Sequence, residues 1–154
     1  MKLNRILCLA VAIIVSGGFA QAQQCLHDEN ETVAEKERRA LALGAARFIN
    51  TAQVHHYRLN GKYAAWKDLA TSSAVEDVRG WYKPQAIKSM DLSGGTEIVP
   101  GFDLRLTTNG EAYSFLLRDN SDHCKFSFYS DQVGVIYYGQ PIDFPPSAAL
   151  FKPE

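Results

Sequence analysis

The sequence predicts an α+β domain, a long N-terminal amphipathic helix packed on a four-stranded antiparallel β-meander. Between Thr32 and Asn60 apolar residues recur at helical spacing, and from Ile98 onward the period changes to two. A helix with one apolar stripe and a sheet with one apolar face bury both most economically as two layers.

The helix is defined at both ends. Thr32 and Glu35 have the spacing of a capping box. Asp28, Glu29, Glu31, Glu35 and Glu37 put negative charge where the helix dipole favours it. Alanine and leucine, both strong helix formers, dominate the interior. Leu41, Ala45, Phe48, Ala52 and Leu59 form the predicted buried stripe. Glu35, Arg38, Arg39, Arg47, Asn50 and Gln53 fall mostly off it. Asn60-Gly61 supplies the stop, because glycine takes the left-handed conformation cheaply. At about 1.5 Å per residue the helix is roughly 40–45 Å long.

A turn at Gly61 leads into a short helical piece at Ala65–Leu69, with Tyr63, Trp66 and Leu69 spaced to bury together. Thr71 to Gly95 reads as mostly irregular, with a brief helix at Ala74–Asp77 and breaks at Pro84 and Gly94-Gly95. Phe102, Leu104 and Leu106 then alternate with polar residues up to Asn109-Gly110, a strong hairpin signal. Tyr113, Phe115 and Leu117 define the next strand, and Cys124, Phe126 and Phe128 the one after the Asp119–Asp122 turn. Asp131–Gly134 is a third turn, and Val135–Tyr138 a last short strand. Residues 141–154 read as an extended, proline-containing tail.

The first 22 residues have the plan of a secretory signal peptide: Lys2 and Arg5, an apolar run from Ile6 to Val15, then Ala20-Gln21-Ala22 as an Ala-x-Ala site. Residues 23–31 are a polar lead-in and 32–140 the domain. The apolar run is shorter than the ~20 residues of a spanning helix, and no later segment reads as transmembrane. Without the signal, 14 basic side chains face 17 acidic ones, a charge of about −3. No basic stripe is left for nucleic acid. Cys8 leaves with the signal. Cys25 and Cys124 remain as an even pair in an oxidising compartment, and we expect a disulfide between them. The absence of a Cys-x-x-Cys speaks against a redox role.

The order of features resembles a known family. Ala46-Arg47-Phe48-Ile49-Asn50-Thr51-Ala52-Gln53, then Tyr57, Asn60-Gly61-Lys62-Tyr63 and Leu69, are similar to the exposed half of the helix and its exit in type IV pilins and type II secretion pseudopilins. Phe128 to Ile136 resembles the aromatic strand, Asp/Gly turn and last strand of such domains. The resemblance spans Ala40 to Tyr138 and implies a pilin-like fold in a bacterial envelope protein. One family feature is missing. A prepilin has an apolar polymerisation segment after a Gly-Phe site, whereas Gly18-Phe19 is followed by the polar Gln21, Gln23 and Gln24.

No catalytic, cofactor or metal motif stands out. His55 and His56 are adjacent on a helix and point about 100° apart, which does not suit one metal ion. A Cys25–Cys124 bond would bring His27 and His123 near each other as a conceivable metal pair. Asp119, Asp122 and Asp131 sit in turns, where Asp bonds its own backbone. Calcium requires a denser set of oxygens. Trp81, Tyr82, Tyr137 and Tyr138 could line a binding surface, though core packing and strand propensity also account for them. The expectation is a secreted or periplasmic non-enzymatic protein, without cofactor, that acts on a protein partner of the cell envelope. The alternative is a small-ligand or carbohydrate-binding module. A small hydrolase has no nucleophile constellation behind it.

Overall fold

The computed structural model describes residues 25–82 and 87–140. The signal peptide, the break at Pro84 and the tail at 141–154 lie outside the described residues.

Helix α1 (Val33–Asn60) carries the capping box read from the sequence: Thr32 Oγ1 accepts from the Glu35 N–H, and a Glu35 carboxylate oxygen accepts from the Thr32 N–H. It ends at Gly61, whose φ of 70° places the residue in the left-handed region. Helices α2 (Trp66–Ala70) and α3 (Ser73–Trp81) follow. Strands β1 (Glu97–Val99), β2 (Phe102–Thr108), β3 (Tyr113–Asp119), β4 (Ser127–Asp131) and β5 (Tyr137–Gly139) form one antiparallel sheet in sequence order.

Among the described residues the sheet has five strands, not four. β1 is three residues long and bends back through Pro100-Gly101, where Gly101 has φ 78°. Such a segment is too short to show an alternating pattern. The predicted strand ends also shift. β4 begins at Ser127, because Asp122 holds Cys124 in a turn, and β5 begins at Tyr137. At Asn109-Gly110 the hairpin loop is held by the Asn109 side chain, which accepts from the N–H groups of Glu111 and Ala112.

One hydrophobic core joins the layers. Ala45, Phe48, Ile49 and Ala52 of α1 meet Phe102, Leu104, Phe115, Leu117 and Phe128 of the sheet. Trp66, Leu69, Val75 and Val78 extend it across α2 and α3. The long α3 corrects the expectation of a mostly irregular segment. Ala74, Val75 and Val78 are its buried stripe at i, i+1 and i+4, packed against α1.

The α1 stripe is also corrected. Leu59 is 53% exposed, whereas Asn50 and Gln53 are buried. Both amides are satisfied. Gln53 Nε2 donates to the Ala64 carbonyl and its Oε1 accepts from the Ala64 N–H, at 2.6 and 3.0 Å. Asn50 donates to Ser130 Oγ and accepts from the Tyr113 hydroxyl, each at 2.8 Å. A buried polar group is tolerated when it is hydrogen-bonded, and these two tie α1 to its exit loop and to the sheet.

Candidate functional site

Chemistry-bearing side chains gather in three places. At the N-terminal end of α1, the expected disulfide joins Cys25 to Cys124 over a separation of 99 residues, with Cα atoms 5.5 Å apart. Beside it lies a charged cluster that the sequence did not reveal. The His27 ring is sandwiched between two buried carboxylates, Nδ1 at 2.6 Å from Glu31 Oε1 and Nε2 at 2.6 Å from Asp119 Oδ2. Both nitrogens face acceptors, so the imidazolium is the form that donates to both. Arg39 forks onto Glu31 through Nε and Nη2, at 2.9 and 2.8 Å. Arg38 reaches Asp119 at 2.6 Å and lies over the Phe102 ring. A side chain at Gly101 would meet Arg38 Nη1 at 2.9 Å, so glycine there leaves room for the guanidinium.

This cluster is structural in its chemistry, because each charge is consumed by another. Arg39 above all, then His27, holds the Glu31 carboxyl down to about 2, against the opposing effect of burial. The carboxyl of an unfolded chain titrates near 4.5. Glu31 therefore contributes stability that is complete above about pH 4.5 and is lost as pH falls toward 2. Discounted for the one-third exposure of Arg39, the contribution is about 2–3 kcal/mol. Urea midpoints between pH 6 and 2 should fall over this window in the native chain. They should fall less in Glu31→Gln, and equal slopes would refute the assignment.

The conceivable His27–His123 metal pair is not assembled, since His27 has both nitrogens engaged. Instead Cys25, His123 and Cys124 bring donor atoms within 4.8 Å of one another. With the sulfurs joined, only the imidazole remains as a ligand. Asp119, Asp122 and Asp131 behave as turn residues: Asp119 accepts from the Ser121 N–H, Asp131 from the Val133 N–H, and Asp122 from Leu26, Cys124 and Phe126.

The second place is a cleft of about 290 Å³ on α1, lined by Asn50, Thr51, Val54, His55, Arg58 and Trp81. Trp81 is 62% exposed and stands edge-on to the His55 ring at 5.0 Å. Asp77 of α3 orients that ring through His55 Nε2, at 2.9 Å. Tyr82 turns inward, packing on Phe48 and sharing a hydroxyl hydrogen bond with Thr51. His56 points elsewhere, Nδ1 to the Lys62 carbonyl at 2.8 Å.

The third place is β5 and its approach. Val133, Val135, Tyr137 and Tyr138 are all substantially exposed. Among the described strands β5 pairs only with β4, which makes it the edge strand of the described sheet. Tyr138 lies beside Phe126 and Phe128, and Tyr137 beside Tyr129. The four aromatic residues singled out from the sequence thus divide into two pairs with no shared neighbour. Trp81 lines the cleft, Tyr82 turns inward beside it onto Phe48 and Thr51, and Tyr137 and Tyr138 lie on the edge strand. The sequence signal for the cleft was His55 and Arg58 in register with Thr51 on one helical face.

Comparison with models of known families, with curated proteins and with solved structures finds no match. No helix among the described residues is long and apolar enough to cross a membrane. Function must therefore be argued from these three places and from the pattern of the chain.

Proposed function

We propose that the chain is an exported, pilin-like, non-enzymatic protein that works by binding an envelope protein along β5. The carrying observation is the edge strand. A strand that pairs on one side only among the described strands, flanked by exposed Val133, Val135, Tyr137 and Tyr138, suits an extended partner segment that adds beside it. Main-chain hydrogen bonds would hold the segment, and the valines and tyrosines would select its side chains. A helix laid on an antiparallel meander and begun in water by a capping box is compatible with a pilin-like body that lacks the polymerisation segment.

A photo-crosslinking amino acid placed at position 137 should capture a pilus or secretion component in living cells. Val135→Lys with Tyr137→Lys should abolish association while leaving stability within about 1 kcal/mol, as for other surface changes. Failure to capture any envelope protein would count against the reading.

The Trp81 cleft favours a second reading, a carbohydrate- or small-ligand-binding module. An exposed indole offers a platform, with Arg58, His55 and Asn50 as polar neighbours. A glycan array that responds to the protein but not to Trp81→Ala would support it over the first.

A further inference from the structure

His123 stands beside the Cys25–Cys124 bond with its ring turned to the sulfur. Its Nε2 lies 3.4 Å from Cys124 Sγ, and the donor atoms of Cys25, His123 and Cys124 all fall within 4.8 Å of one another. The His123 side chain is 37% exposed and lies outside the hydrophobic core. Its other nitrogen, Nδ1, is 3.9 Å from the buried Asp122 carboxylate. A carboxylate on that side favours the tautomer with the proton on Nδ1, which leaves the Nε2 lone pair for a metal ion. Two sulfurs and one imidazole are a donor set that suits Zn²⁺. The two cysteines are also held together by more than the bond between them. Asp122 Oδ1 accepts from the Leu26 N–H, next to Cys25, and from the Cys124 N–H, at 3.2 and 3.1 Å. The Lys125 N–H closes the turn onto the Asp122 carbonyl at 2.9 Å. His27 anchors the same lead-in on Asp119. These contacts involve no sulfur, so reduction leaves them in place, with the two Cα atoms near their present 5.5 Å. Thiolates on one tetrahedral Zn²⁺ sit about 3.8 Å apart, a span that side-chain rotation reaches from that separation.

We propose that Cys25, His123 and Cys124 form a zinc site in the dithiol state of the chain, so that Zn²⁺ takes over the fastening when the disulfide is reduced. A dithiol reductant supplies two electrons and two protons. The S–S bond breaks, Cys25 and Cys124 become thiols, and the reductant becomes a disulfide. Each thiol then yields its proton as it ligates, and neutral His123 adds Nε2. The fourth tetrahedral position is left to water, on the side where His123 meets solvent. The disulfide form keeps one ligand of the three and binds no Zn²⁺. The lead-in is thus clasped in two redox states, by a covalent bond in one and by a metal ion in the other.

Zinc titration of the full chain carrying Cys8→Ser, which leaves Cys25 and Cys124 as its two cysteines, tests the site. Reduced with a phosphine, which adds no competing thiol, the chain should take up one Zn²⁺ in competition with a chromogenic chelator. The disulfide form should take up none. His123→Ala should weaken uptake by the reduced chain more than about tenfold, the loss that even an outer-shell partner can cause. Zn²⁺ should also raise the urea midpoint of the reduced chain, because it binds a site assembled by the fold. Equal binding by the two redox forms, no binding by the reduced form, or an affinity untouched by His123→Ala would overturn the proposal. So would a midpoint that stays or falls with Zn²⁺, the mark of capture by cysteines of the unfolded chain.

Discussion

Replacing Asp119 with alanine should cost about 3–5 kcal/mol of stability, read as a drop in the denaturant midpoint at an unchanged slope. The change removes the acceptor shared by His27 and Arg38, and the one used by the Ser121 N–H. The Arg38 guanidinium and the buried His27 ring would both face the place the carboxylate had filled. The His27 ring, 1% exposed, has no water to turn to. Asp119→Asn should fall between alanine and the native residue, because the amide still accepts one hydrogen bond but carries no charge. A loss under about 1 kcal/mol for the alanine variant would equate this cluster with an ordinary surface ion pair.

Removing the Cys25–Cys124 bond, by Cys25→Ser/Cys124→Ser or by reduction, should cost about 2–5 kcal/mol. The chain-entropy model gives about 4.7 kcal/mol for a loop of ~100 residues, and the closed loop here spans 99. The cost should not add to that of Asp119→Ala. Disulfide and ion pairs secure the same short stretch, Cys25 to Glu31, to the same turn between β3 and β4. Once one fastening is gone the stretch can leave, and the other has less to hold. A double-mutant cycle should show coupling of about 0.5–3 kcal/mol, and strict additivity would mean that the two act on separate parts of the fold.

Local rules made several features legible in advance. The capping box at Thr32–Glu35, the stop at Gly61 and the hairpin at Asn109-Gly110 are each set by a few neighbouring residues, and each formed. The alternation of Phe102–Leu106 and Tyr113–Leu117 gave the inner face of the sheet correctly. The failures arose where distant residues decide. Gln53 looked like a surface residue until the chain, turning at Gly61, brought the Ala64 backbone beside it. Leu59 fits a helical stripe, but α1 outruns its cover there. His27, Glu31 and Asp119 are unremarkable singly, and 92 residues separate the imidazole from its second carboxylate. The disulfide was inferred from an even cysteine count, and the same count could not reveal that a charged cluster would accompany it. The Trp81 cleft was half visible, since the indole stood out but the helix that carries it was read as mostly irregular.

The seating of Cys25 has a mechanical consequence. α1 is 28 residues long, a rod of about 42 Å. Were the chain joined to its body through the first turn of that rod alone, tension applied ahead of Cys25 would peel the helix open one hydrogen bond at a time. The covalent link diverts the force. A pull on that side passes through Cys124 into the turn between β3 and β4, at the middle of the sheet, and the helix carries little of it. Tension from that side would therefore leave the hydrogen bonds of α1 unloaded.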